Sequence, residues 1–78
     1  MPRFYFNVRD GDSVITDPEG IEVPGLRAAE DEARQAARDL LADRVKHGEQ
    51  IGSRNFEVID ETGRQVLTLP FRSVLNLD

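Results

Sequence analysis

The chain has 78 residues, no cysteine, no tryptophan and one histidine, and ten basic against fifteen acidic side chains leave a formal net charge of −5. That length makes one small domain, residues 1–78, of modest stability. The missing cysteines exclude a disulfide framework, a thiolate nucleophile and a Cys-based zinc site, while a pI near 4.7 argues against duplex nucleic acid as a partner.

Phe4, Phe6 and Val8 alternate with Arg3, Tyr5, Asn7 and Arg9, the period-two pattern of a half-buried strand. Asp10-Gly11 then predicts a type I′ hairpin loop. With those two residues as the loop, Phe6 faces Ile15 and a short strand follows at 13–16. Asp17-Pro18-Glu19-Gly20 reads as a turn. Ile21-Glu22-Val23 forms a brief third strand before Pro24-Gly25 interrupts it.

Helical periodicity is clearest from Leu26 onward. At 100° per residue, Leu26, Ala29, Ala33, Ala36, Ala37, Leu40 and Leu41 share one arc, extended by Val45, and charged residues fill the other side. Glu30, Asp31 and Glu32 load the N-terminal end and Lys46 and His47 the C-terminal end, each complementing the macrodipole. Gly25 is a weak N-cap and Gly48 a left-handed C-terminal cap.

A polar link from Gly48 to Ser53 leads to a second hairpin. Phe56 and Val58 alternate with Asn55, Glu57 and Ile59, then Asp60-Glu61-Thr62-Gly63 turns the chain, with glycine where a bulge needs positive φ. Leu67, Leu69 and Phe71 share one face of the returning strand, which Pro70 confines to an edge or ends. Val74, Leu75 and Leu77 belong to a tail, residues 72–78, expected to dock loosely.

The fold class is α+β: a small, mainly antiparallel sheet with one helix on one face, in the order ββ(β)αββ. The expected core is Phe4, Phe6, Val8, Ile15, Leu26, Ala33, Ala37, Leu40, Leu41, Phe56, Val58, Leu67 and Leu69. No apolar run follows a basic start and none approaches the length of a membrane span. A soluble, cytoplasmic chain with no membrane partner is expected.

The opening Pro2-Arg3-Phe4-Tyr5-Phe6-Asn7-Val8-Arg9-Asp10-Gly11 is distinctive. So are Asp17-x-Glu19-Gly20-x-Glu22 ahead of an alanine-rich helix and the later Phe56-Glu57-Val58-x-Asp60-Glu61-x-Gly63. In that order they resemble a family of short bacterial proteins classed as a domain of unknown function, over residues 2–72. The resemblance implies a compact stand-alone domain and brings no catalytic residues. A short β-meander, then Val23-Pro24-Gly25 before an Ala- and Glu-rich helix, is also similar to the N-terminal domain of HicB-type antitoxins. That similarity implies a small RNA-cleaving toxin as partner.

Five acids and no base lie between Asp10 and Glu22: Asp10, Asp12, Asp17, Glu19 and Glu22. Hard cations need several converging oxygens. Asp10-x-Asp12 starts like a calcium loop, but Val14 takes the next ligand position, so turn chemistry is the simpler account. A small-ligand or cation site in 10–22 stays open as the rival reading. His47 has no second histidine and no nucleophile motif beside it, Asp60/Glu61 suit a turn better than a cleft, and the glycines form no phosphate loop. No enzyme, cofactor or metal is expected.

The remaining feature is the sheet face turned away from the helix. Arg3, Tyr5, Asn7, Arg9, Asn55, Glu57, Ile59, Val66 and Thr68 fall there. Tyr5, Ile59 and Val66 form a semi-apolar patch rimmed by Arg and Glu, as protein interfaces are. One aromatic and a negative chain make the same face a poor platform for single-stranded RNA. The expectation is a non-enzymatic interaction or regulatory module using this face or an edge strand, with a protein partner or as a homodimer.

Overall fold

The computed structural model describes residues 1–49 and 52–75. Five strands and one long helix follow in chain order: β1 (Arg3–Asp10), β2 (Ser13–Ile15), β3 (Ile21–Glu22), α1 (Leu26–Lys46), β4 (Asn55–Asp60) and β5 (Gln65–Pro70). A 3₁₀ turn, Phe71–Val74, closes the described chain. The strands form one antiparallel sheet in the order β2-β1-β4-β5, with β3 also on β1. This is the two-layer α+β arrangement in the order ββ(β)αββ. Among the described residues, no helix is long and apolar enough to cross a membrane.

Strand β1 organises the sheet. One edge is filled along Phe4–Arg9 by β4, in a register that sets Phe6 against Val58 and Tyr5 against Ile59. The other edge is shared by β2 and β3. Strand β3 therefore returns to β1 rather than continuing a meander beside β2. The first hairpin also differs from its sequence reading. Asp10 pairs with Ser13, so the loop is Gly11-Asp12 and Ile15 faces Val8, not Phe6. Among the described residues positive φ occurs only at glycines, and in this loop only at Gly11. A positive φ at the first central residue alone belongs to a type II′ turn, which demands glycine there, and not to type I′.

Helix α1 buries Ala29, Ala33, Ala37 and Leu41, an unbroken i, i+4 row. Such a row winds about the helix and is inclined about 26° to its axis. This row is the seam of the helix, whose closest backbone neighbours are β5 and the 3₁₀ turn. Two expectations fail for this reason. Leu40, on the i+7 row with Ala33, is 44% exposed, and Leu26 is exposed as well. Ile15 is 59% exposed because β2 lies at the opposite side of the sheet from β5, beyond the helix's cover. Val45 is also exposed at the helix end.

The buried cluster contains Phe4, Val23, Ala29, Ala33, Ala37, Leu41, Phe56, Val58, Leu69 and Phe71. Phe6, Val8 and Leu67 pack against it half-buried. Phe71 is 1% exposed, and its ring lies 4.7 Å from that of Phe56, which Phe6 meets edge-on at 6.2 Å. Val74 and Leu75 also pack on the cluster, so the tail is docked as far as Leu75. Leu77, and residues 50 and 51 of the polar link, lie outside the described residues.

The termini of α1 are asymmetric. Gly25 is extended and offers no side-chain cap. Glu30–Glu32 lie beyond the first turn, which contains no acid, and a charge there gains little from the macrodipole, whose effect fades within one turn. The other end is well closed. The N–H of Gly48 donates to the Val45 carbonyl and that of Glu49 to Arg44, the paired bonds of a Schellman motif, and Arg44 and Lys46 lie in the last turn.

Candidate interaction face

The face of the sheet opposite α1 is built from alternate residues of its longer strands. Tyr5 stands across from Ile59, Asn7 from Glu57 and Arg9 from Asn55, while Glu57 also faces Thr68 on β5 and Val14 of β2 faces Arg9. Tyr5 and Ile59 are half-buried and form the apolar centre. Val66 leaves this face. The ladder shifts between Val58 and Ile59, so that Ile59 pairs with Gln65 and Val66 is the extra residue of a β-bulge. A bulge breaks the alternation of side chains, and Val66 packs half-buried against the core.

Every charged member of the face is already engaged. The Arg9 guanidinium meets Glu57 at 3.0 Å from Nε and 3.4 Å from Nη2. Arg3 donates from Nη1 to the Glu19 carbonyl at 2.6 Å and from Nη2 to Glu22 at 2.7 Å. The Thr68 hydroxyl accepts from the Gln65 amide at 2.7 Å. Just beyond the strand end, Arg54 Nε meets Asp10 at 3.0 Å.

Asn7 and Asp17 have a structural task that the turn reading missed. From Val8 to Phe4 is four residues along β1, but their partners Ile15 and Ile21 are six apart, so residues 16–20 bulge away from the strand. The Asp17 carboxylate fills the gap. One oxygen accepts the N–H of Phe6 at 3.1 Å, and the other accepts those of Glu19 and Gly20, each at 3.2 Å. Asn7 Oδ1 accepts the Asp17 N–H at 2.9 Å. Burial alone would raise the Asp17 carboxyl, but the Phe6, Gly20 and Glu19 N–H groups outweigh it and hold it below its ordinary range. Gly20, at φ +69, lies so close that a Cβ would stand 2.7 Å from the Phe4 carbonyl oxygen and 2.9 Å from the Tyr5 ring. The Asp17-x-Glu19-Gly20-x-Glu22 pattern and the opening segment are thus two halves of one clasp, joined through Arg3, Phe6 and Asn7. Sequence shows both halves but not that they meet.

The same contacts bear on cation binding. Asp10, Asp17 and Glu22 are bound to Arg54, to N–H groups and to Arg3, leaving Asp12 and Glu19 with exposed carboxylates. Among the described residues, no group of three or more His, Cys, Asp or Glu side chains is placed to hold a metal ion. His47 is exposed at the helix end, where its Nδ1–H donates to the Asp43 carbonyl at 2.8 Å. Asp60 closes the second hairpin, accepting from the Thr62 hydroxyl and from the N–H groups of Thr62 and Arg64.

The family model described as Domain of unknown function (DUF6894) matches residues 3–72. The chain belongs to this family. The match takes in the clasp, the helix and both hairpins of this DUF6894 domain, and assigns none of them an activity. No curated protein and no solved structure matches the chain.

Proposed function

We propose that this DUF6894 domain is a non-enzymatic interaction module that binds another protein, or a second copy of itself, through the open sheet face. The observation that carries the reading is the Tyr5–Ile59 pair, an apolar centre framed by charges already neutralised within the chain. A partner covering this centre buries aromatic and aliphatic surface without stranding an unpaired charge, which is the condition for a favourable interface core. The sheet edges are less suitable. Strands β2 and β3 have three and two residues with a bulge between them, and β5 is bulged and ends at Pro70, features that oppose strand addition.

The test is light scattering over a range of concentrations, with pull-down from a lysate of the source cell, for the wild-type chain and the Tyr5→Ser/Ile59→Ser double variant. Self-association or specific capture that the double variant loses supports the reading. A strict monomer that captures nothing sinks it, as does binding indifferent to both substitutions.

A further inference from the structure

The tip of the first hairpin holds the one place in the sequence where an aspartate precedes a glycine, Asp10-Gly11. We propose that Asp10-Gly11 is a site of spontaneous isoaspartate formation, and that Arg54 sets its rate. Gly11, which supplies the reacting nitrogen, is exposed. Gly11 has no Cβ, and open space surrounds the position where one would stand. Asp10 is itself exposed at the end of β1.

The chemistry needs only the chain and water. After losing its proton to solvent, the Gly11 backbone nitrogen attacks Cγ of Asp10, and a carboxyl oxygen departs as water, leaving a five-membered succinimide. Water then adds to either ring carbonyl. Opening on one side restores aspartate. Opening on the other leaves the main chain running through Cγ, as isoaspartate. The water released equals the water consumed, nothing is oxidised or reduced, and the mass is unchanged.

Two contacts of the folded chain oppose ring closure. Asp10 is held in the ladder opposite Ser13, and the extended backbone of a strand does not bring the next nitrogen behind the side chain. Arg54, which directly precedes β4, holds the Asp10 carboxylate at 3.0 Å. That bond draws the carboxylate sideways to the neighbouring strand and away from Gly11. Closure therefore waits for the ladder end to fray and the ion pair to break. Once formed, isoaspartate adds a methylene to the backbone at the last pair of the ladder and leaves its carboxylate one bond shorter in reach of Arg54. Only three residue pairs join β2 to β1, so the damage falls on this hairpin and spares the β1–β4 ladder.

The experiment ages the full chain at neutral pH and physiological temperature, beside a synthetic peptide covering residues 6–16. Isoaspartate at position 10 is quantified by peptide mapping with electron-transfer fragmentation. We expect it to accumulate in the full chain several-fold more slowly than in the peptide, and Arg54→Gln to close most of that gap. High salt, which weakens an exposed ion pair without a mutation, should speed the full chain and leave the peptide unchanged. It decides the matter if circular dichroism finds Arg54→Gln unfolded. The proposal is overturned if the full chain matches the peptide, if it forms no isoaspartate while the peptide converts, or if neither a folded Arg54→Gln chain nor high salt changes the rate.

Discussion

Asp17 is the residue on which the edge of the sheet depends. Its two carboxylate oxygens satisfy three backbone N–H groups, of Phe6, Glu19 and Gly20, in place of the strand that the 16–20 bulge moves away. Asp17→Ala should cost about 1–3 kcal/mol in urea unfolding, the usual penalty for stranding partly buried donors. Asp17→Asn should cost less, since its amide oxygen still accepts on one side. The pH dependence has a definite sign. Because the folded-state carboxyl is held below its ordinary value, its contribution is complete above the unfolded carboxylate range, about pH 4, and is lost as pH falls through the folded value. Asp60, held down chiefly by the Thr62 hydroxyl and then by the Arg64 N–H, acts in the same direction. Urea midpoints measured against pH should be flat near neutrality and fall in acid, with a shallower fall in Asp17→Asn. Gly20 gives a second contrast at this scale. Gly20→Ala and Gly11→Ala both force a positive φ on alanine, at about 1–3 kcal/mol, but only Gly20→Ala adds a clash with the Phe4 backbone. It should be clearly the more destabilising of the two, and calorimetry on both variants decides the order.

Among the elements, the helix shows how a sequence pattern can admit two answers. The apolar arc of α1 contains an i, i+4 row, Ala29-Ala33-Ala37-Leu41, and an i+7 row, Leu26-Ala33-Leu40. The first is buried and the ends of the second are exposed. Three alanines in succession along the buried row let the helix approach the sheet closely, and Leu41 fills the space at its end. Leu41→Ala should therefore cost about 2–5 kcal/mol, while Leu40→Gln should stay within about 0.5 kcal/mol of the wild type. Equal losses in chemical denaturation would overturn the assigned seam. The placement of the helix over β5 and the 3₁₀ turn, at the far side of the sheet from β2, leaves Ile15 outside the core, although its strand face is the one the alternation gives.

At the scale of the whole molecule, a domain this short holds only about 0.05–0.15 kcal/mol of stability per residue, so few side chains decide whether it folds. Phe71 is one of them. It lies past the last strand, packs its ring at a tilt against Phe56 and belongs to the buried cluster, and its N–H donates to the Arg54 carbonyl at 2.9 Å. Phe71→Ala should remove about 3–5 kcal/mol, and truncation after Pro70 should abolish cooperative thermal unfolding. The large charge surplus matters less than its size suggests, because ion pairs join β1 to β3, to β4 and to the residue before β4. The open face is left nearly neutral around Tyr5 and Ile59, and this local balance suits a protein partner better than the net charge of −5 implies.

Local rules of the chain determined the elements of this protein. Alternation placed β1, β4 and β5, the alanine-rich arc placed α1, and Gly48 and Gly63 stand where a helix cap and a bulged turn require positive φ. These depend on backbone geometry within a few residues, which a sequence carries directly. The face opposite the helix was equally legible along β1 and β4, because period-two alternation survives wherever the ladder is regular. It failed at Val66, where a bulge inserted one residue. Tertiary structure alone decided the rest: the one-residue shift of the first hairpin's loop, which moves Ile15's partner from Phe6 to Val8, the return of β3 to β1, the buried row of α1, and the meeting of Asp17 with Phe6 and Asn7. Each of these is a choice between arrangements that local propensity leaves nearly equal. It is settled by which N–H groups must find an acceptor and which apolar surfaces can be covered at once.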